Sequence, residues 1–202
     1  MVEGFLCSDD CLATLAIFQQ LGVDIERSGT SLTINSLGIS GFRQPKSPLN
    51  VGNSGTGIRL ITGILSTLPF DTQITGDASI QQRPMARIID PLTQMGAVIE
   101  SGDGTPPLLI RGGQSLSRID YSMPIASAQV KSSILLAGVA AGVPVTITEP
   151  ELCRDHTERM LRLFGVKCIT NGSVIDYDGQ PLTSPNKTVQ IPADISSALF
   201  FL

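Results

Sequence analysis

The sequence has no tryptophan, a single histidine and only 4% aromatic residues, so its core must rest on Ile, Leu, Val and Ala. Charge is scarce as well, at 16%, with a net charge of −4 and no run of Lys or Arg. A nucleic-acid-binding domain would carry a basic patch or stripe. None is visible, so no nucleic-acid partner is expected and any anionic ligand must be held locally. The longest apolar stretch, "ILLAGVAAGVPV", is too short and too rich in Gly and Pro to cross a bilayer. The opening "MVEGFLCSDD" lacks a basic region and a following apolar run, and does not read as a signal or transit peptide. Together these absences predict a cytoplasmic protein with no membrane partner. Cys7, Cys11, Cys153 and Cys168 show no CxxC spacing, and one histidine cannot complete a common zinc site unless all four thiols converge. Free thiols and no metal are expected.

What is present is a chain of 202 residues, 42% hydrophobic, long enough to bury roughly 70% of its unfolded surface. Gly 20 and Pro 13 imply many short turns, and the whole suits an α/β (α+β) domain. An internal repeat organises it. "CLATLAIFQQLGVDIE", "MARIIDPLTQMGAVIE" and "HTERMLRLFGVKCI" each read as an amphipathic helix ending at a glycine, namely Gly22, Gly96 and Gly165. Each is followed by a strand, a turn ("RSGTS", "SGDGTPP", "TNGS") and a second strand. A second series, "GNSGTGIRLITGIL", "IASAQVKSSILLAGVAA" and "PADISSALFFL", opens on small polar residues and then takes the helical period. Gly22 to Gly96 is 74 residues and Ser54 to Ser127 is 73, so both series share one repeat. The order strand, helix, two strands, helix, strand predicts a pseudo-threefold domain with helices inside and sheets outside, the second series being the inner helices. The expected units run over about 1–75, 76–147 and 148–202 in circular register. Met1 falls at the end of a strand and Leu202 inside an apolar helix, which suggests a piece of a longer chain.

Chemistry concentrates where these helices begin. In "NVGNSGTGIRL" the glycines at 52, 55 and 57 let backbone N–H groups approach a ligand, and the following helix offers its positive end. The Lys and Ser/Thr of a nucleotide-binding P-loop are missing, so this is an anion cradle without Mg²⁺, or simply a tight strand-to-helix turn. Arg83, just before Pro84 at the expected first turn of a helix, can grip a phosphate or carboxylate with two parallel hydrogen bonds. Ser127 and Gln129 open another helix, where Ser127 could equally be only its cap. Asp155 and Glu158 read as a reciprocal capping pair, with Arg154 flanking that helix and His156 as a structural residue. Asp90 reads as a solvated charge. No nucleophile stands with a base, so the chain reads as binding ligands rather than supplying catalytic residues.

"GNSGTGIRL", "GDASIQQRPMARIIDPL", "SAQVKSSILLAG", "RDHTERML" and "PADISSALFFL" together resemble, in order and spacing, the 5-enolpyruvylshikimate-3-phosphate synthase family, from about residue 3 to the end. The resemblance implies an enolpyruvyl transferase of the shikimate pathway, cytoplasmic and without cofactor. Its fold has two domains, each of three βαβαββ units, with phosphoenolpyruvate and shikimate 3-phosphate bound between them. This chain corresponds to one domain, and the complementary domain, with the residues for proton transfer, is absent; alone it should be inactive. By position, Gly55, Arg83 and Gln129 correspond to residues on phosphoenolpyruvate, and Ser127, Ala128, Gln129 and Arg154 to those around shikimate 3-phosphate. Asn53 and Thr56 support the loop. Ala128 stands where some members have a second serine, leaving Arg154 more of that phosphate's charge. Gly55 is where a methyl would crowd glyphosate, which implies a sensitive parent enzyme. The sister enzyme acting on UDP-N-acetylglucosamine carries a cysteine before its Arg-Pro motif, and "GDASIQQRP" has none. A non-catalytic ligand-binding module on the same fold is the other alternative.

Overall fold

The computed structural model describes residues 1–185 and 188–192. Strand β1 (Val2–Glu3) leads into α1 (Asp9–Gln20), then β2 (Asp24–Ser28), β3 (Ser31–Asn35), β4 (Leu49–Asn50) and α2 (Gly55–Leu65). The order continues with β5 (Thr72–Thr75), α3 (Ala86–Gln94), β6 (Ile99–Glu100), β7 (Leu108–Ile110), β8 (Ile119–Ser122) and α4 (Ala128–Ala141). It ends with β9 (Val145–Thr148), α5 (His156–Leu163), β10 (Cys168–Asn171), β11 (Val174–Tyr177) and β12 (Val189–Gln190). "PADISSALFFL", expected as a third inner helix, falls beyond the described residues from position 193 on.

Among the described residues the strands form three four-stranded sheets of identical topology, ordered β12-β1-β3-β2, β4-β5-β7-β6 and β8-β9-β11-β10. In each, the first pair is parallel and the other two are antiparallel. The parallel pairing of Val2 with Val189 joins the two ends of the described chain in one sheet, which is the circular order the repeat predicts. A break at 75/76 or 147/148 would separate strands of one sheet, since β5 pairs with β7 and β9 with β11. A unit defined by its sheet therefore starts two strands and one helix before the 75/76 break, as β4-α2-β5-α3-β6-β7.

The local chemistry explains these elements. Gly22, Gly96 and Gly165 all lie just past their helices at φ of 93°, 108° and 76°, a region open to glycine and costly for other residues. In β9, Val145 and Ile147 are buried while Thr146 and Thr148 are half-buried, the period-two pattern of a strand with one face on a core. The two described inner helices carry the most buried surface. On α4, Val130, Ile134, Leu135 and Ala137 face in, and α2 adds Ile58, Ile61 and Leu65. A helix apolar on nearly every side belongs inside, whereas α1 buries Ile17 alone and keeps a wet face.

Helices α2 and α4 run side by side in the same sense. Gln129 Nε2 donates to Thr56 Oγ1 at 2.9 Å, and one turn on Ser133 Oγ donates to Arg59 O at 2.8 Å. Gly63 then lies against the Ser133 carbonyl, so close that a Cβ there would overlap it. Because the helices are parallel, their positive N-terminal ends open on one face. Among the described residues no helix is long and apolar enough to cross a membrane.

Two expected helix starts need correction. Helix α3 begins at Ala86 with Met85 as its N-cap, so Pro84 lies outside it. Arg83 instead closes a 3₁₀ turn, Ile80–Gln82, while buried Met85 is fastened by its N–H to Gly104 O at 2.8 Å. The reciprocal cap at Asp155 does not form either. Asp155 makes no side-chain cap bond and pairs with Arg159 at 3.4 Å, because Glu158 turns inward to a buried partner, Lys131.

Candidate functional site

The site starts where β4 gives way to α2. Asn50 Oδ1 accepts from the Gly52 N–H at 2.8 Å, and Gly52 takes φ 60°, which turns the chain sharply. Ser54 caps α2, its Oγ accepting from the Gly57 N–H at 2.9 Å. A second loop is laced to this one. The Asp77 N–H donates to Gly52 O at 2.8 Å, and Asn53 Nδ2 donates to Asp77 Oδ2 at 2.6 Å. Asp77 Oδ1 accepts from the Ile80 N–H at 2.9 Å. That N–H first, and then the Asn53 amide, hold the Asp77 carboxyl below the usual range, so it stays ionised and the lacing persists into mildly acidic solution. Arg83 Nη2 donates to Asn53 Oδ1 at 3.1 Å, which aims its guanidinium across the start of α2.

Gly55 is buried under that guanidinium. A Cβ added to it would lie 2.6 Å from Arg83 Nη1 and 3.1 Å from Arg59 Nη1. Arg59, which the sequence reading did not single out, donates to Gly55 O at 3.0 Å and to Pro84 O at 3.3 Å, bracing both loops. Burial, then repulsion from Arg83 and Arg87, push its pKa below the ordinary arginine value. An anion above Gly55 would relieve that repulsion. The ion pairs among the described residues involve none of Arg59, Arg83 and Arg154. A spare positive field thus lies at the positive end of a helix.

The second cluster is built on the start of α4. Ser127 caps that helix, accepting from the Val130 N–H at 3.4 Å. Ala126, Ser127, Ala128 and Gln129 line a polar cavity of about 400 Å³, with Cys153 and Arg154 as its other wall. Burial first, then Glu149, raise the Cys153 thiol above its ordinary value, which leaves it a poor nucleophile at neutral pH. The Gln129–Thr56 hydrogen bond joins this cavity to the first loop. All the residues proposed from sequence therefore belong to two adjoining clusters: Asn53, Gly55 and Arg83 in one, Ser127, Ala128 and Arg154 in the other, Thr56 and Gln129 between them. A larger cavity of about 550 Å³, lined by Phe18, Phe42 and Leu136 among others, is apolar and offers nothing to hold an anion.

Gly55→Ala tests the first cluster. The added methyl displaces the end of a flexible arginine rather than backbone, so the melting temperature should stay within about 2 °C while phosphate binding there weakens about tenfold or more, the value of one charge-assisted hydrogen bond at about 1.5–3 kcal/mol. Titration with inorganic phosphate, read at the Thr56 and Arg83 amide resonances, checks it. An unchanged affinity would separate Gly55 from the anion.

Two parallel inner helices with their N-termini on one face, together with three sheets of one repeated topology among the described residues, define a domain of the enolpyruvyl transferase type. The chain belongs to the EPSP synthase (3-phosphoshikimate 1-carboxyvinyltransferase) family, which it matches over residues 1–202. It is 53% identical over 205 residues to the 3-phosphoshikimate 1-carboxyvinyltransferase of Shouchella clausii (strain KSM-K16), covering 100% of this chain and 47% of that protein. The corresponding protein of Alkalilimnicola ehrlichii (strain ATCC BAA-1101 / DSM 17681 / MLHE-1) is 51% identical over 203 residues, covering 100% of this chain and 45% of that one. The solved structure of EPSP synthase from Acinetobacter baumannii superposes with a TM-score of 0.92 at 51% identity, over 99% of this chain and 45% of that one. The chain spans about half the length of the relatives it matches.

Proposed function

We propose that residues 1–202 are one domain of a two-domain cytoplasmic enzyme that transfers enolpyruvyl from phosphoenolpyruvate to the 5-hydroxyl of shikimate 3-phosphate. In this reading Gly55, Arg83 and Gln129 receive phosphoenolpyruvate, its phosphate lying over the α2 N-terminus against the Arg83 guanidinium. Ser127, Ala128, Gln129 and Arg154 receive shikimate 3-phosphate in the cavity at the α4 N-terminus. Ala128 offers only its backbone N–H, and Arg154 carries the charge. Asn53 and Thr56 act indirectly, Asn53 by aiming Arg83 and Thr56 by fixing the Gln129 amide.

The observation that carries this reading is the Gln129–Thr56 bond between two helix N-termini, each with an arginine beside it. It brings two helix N-termini next to each other, which supports neighbouring sites for two phosphorylated substrates. The substrate hydroxyl loses its proton as its oxygen bonds to the enol carbon of phosphoenolpyruvate and a proton adds to the methylene carbon; the carbon–oxygen bond to phosphate then breaks, phosphate leaving as one proton is lost from the new methyl group and the double bond re-forms. This chain's part is binding and orientation; the proton-transfer groups belong to the complementary domain. The Asp77–Arg83 turn holds no cysteine, which favours this substrate over UDP-N-acetylglucosamine.

The test is reconstitution. The purified chain alone should turn over nothing, because each charge-assisted hydrogen bond that the complementary domain supplies is worth about 1.5–3 kcal/mol. Mixed with a separately produced complementary half, it should release phosphate and form the enolpyruvyl ether. Arg83→Ala or Arg154→Ala should reduce that rate at least about a hundredfold, the upper range for one such hydrogen bond. Turnover by the chain alone contradicts the proposal, and full activity in either variant removes that arginine from the site.

A further inference from the structure

Lys131, Glu149 and Glu158 are buried charges for which substrate binding has no direct use. The Lys131 Nζ lies 3.0 Å from Glu149 Oε1 and 2.6 Å from Glu158 Oε1, and the three side chains are 1–2% exposed. Glu158 Oε2 is buried with no hydrogen-bond partner among the described residues. One ammonium thus answers two carboxylates in a region from which water is excluded.

The places these residues occupy along the chain give the cluster a mechanical meaning. Lys131 is one turn beyond Ser127 on α4, its N–H donating to Ser127 O at 3.1 Å. Glu149 follows β9 directly, and its N–H donates to Ser173 O at 2.8 Å. Glu158 stands in the first turn of α5. The single ammonium therefore holds both ends of the segment 149–158, and within that segment lie Cys153 and Arg154, one wall of the cavity. The other wall, Ser127 to Gln129, is the turn of α4 just before Lys131 itself. Ser132 Oγ and Thr157 Oγ1 add a second link between the same helices at 2.6 Å. Apolar packing in this place would be non-directional, whereas two ion pairs to one nitrogen fix the segment at two points.

We infer that Lys131, with Glu149 and Glu158, is a positioning residue for the cavity: it sets the spacing between the first turn of α4 and the Arg154 loop, and so the affinity for a phosphorylated ligand it never touches. This rests on reading the cavity as the shikimate 3-phosphate site.

The experiment titrates three isotope-labelled forms of the full chain with shikimate 3-phosphate, following backbone amides. They are the natural sequence, Arg154→Ala, and the triple variant Lys131→Met, Glu149→Gln, Glu158→Gln, which removes every charge of the cluster at near-constant volume. Inorganic phosphate read at Thr56 and Arg83 serves as an internal control, and a thermal melt establishes that each form is folded. The triple variant should bind shikimate 3-phosphate at least about tenfold more weakly, about 1.4 kcal/mol, while phosphate at Thr56 and Arg83 is unchanged. If it does not fold, Glu149→Gln alone, which frees one end of the segment, should show the same selective loss. Binding within twofold of the natural chain, or equal weakening at both places, overturns the positioning role. Arg154→Ala binding as well as the natural chain, or no response at Ser127 to Gln129 in any form, overturns the reading of the cavity itself.

Discussion

Lys131→Met should lower the midpoint of thermal unfolding by about 10 °C. The substitution leaves Glu149 and Glu158 buried with the counter-charge that stood 3.0 and 2.6 Å away removed. Breaking a buried ion pair by deleting one partner costs about 3–5 kcal/mol, because the remaining charge is neither solvated nor paired. For a chain of this size each kcal/mol shifts the midpoint by about 2–4 °C. The pH dependence has a definite sign. Burial alone would lower the Lys131 ammonium, but its bonds to Glu158 and Glu149 outweigh it, and its pKa is raised above the ordinary 10.5. A group raised on folding gives its full stabilisation below its unfolded value and loses it as pH climbs through the folded one. The difference between the natural chain and the variant should hold from neutrality to about pH 10, where lysine begins to titrate, and shrink only above it. A midpoint within about 2 °C of the natural chain would mean that the ammonium does not hold the two carboxylates in solution.

Gly63→Ala should destabilise the protein by about 2 kcal/mol, although the rule for helix interiors points the other way. Alanine gains about 1 kcal/mol over glycine in a helix. Here its Cβ would enter the Ser133 carbonyl of the neighbouring helix, and that obstacle is backbone. Over-packing costs about 1–3 kcal/mol and more where the neighbour cannot yield. Separating α2 from α4 would also stretch the Ser133 Oγ to Arg59 O bond, now 2.8 Å. A midpoint about 4–8 °C lower is expected, together with altered Thr56 and Gln129 amide resonances at the far end of the same helix pair. A rise in midpoint would show that the helices part freely, and that the facing N-termini are not rigidly set.

Much of this was legible in the chain because it depends on local rules. The helix stops at Gly22, Gly96 and Gly165 could be read since only a left-handed residue ends those helices, and the structure has φ above 70° at all three. The starts of α2 and α4 could be read since small polar residues before an apolar period favour a helix N-cap, and Ser54 and Ser127 cap those two helices. Glu158 could not be assigned that way. Three residues after Asp155 it fits a reciprocal cap, and nothing in the spacing says that a buried ammonium on another helix outbids the backbone N–H groups. The clue was Lys131 itself, a lone charge inside "QVKSSILLAG", on a helix whose composition calls for burial. Arg59 was missed for a related reason: its partners, Gly55 O and Pro84 O, are backbone atoms that leave no mark on the sequence. The order of strands within each sheet was hidden too, since which neighbours hydrogen-bond, β1 with β3 rather than with β2, leaves no mark on the sequence.

The central claim is that two parallel helices deliver their N-termini, with Arg83 and Arg154, to one anion-binding face. The most direct measurement is a titration of the natural chain with shikimate 3-phosphate, mapped over every backbone amide. Saturable shifts centred on Ser127, Ala128, Gln129 and Arg154, with a dissociation constant of about 1 mM, are predicted. Shifts confined to the apolar cavity by Phe42 and Leu136, or none at the helix N-termini up to about ten times that concentration, would contradict it.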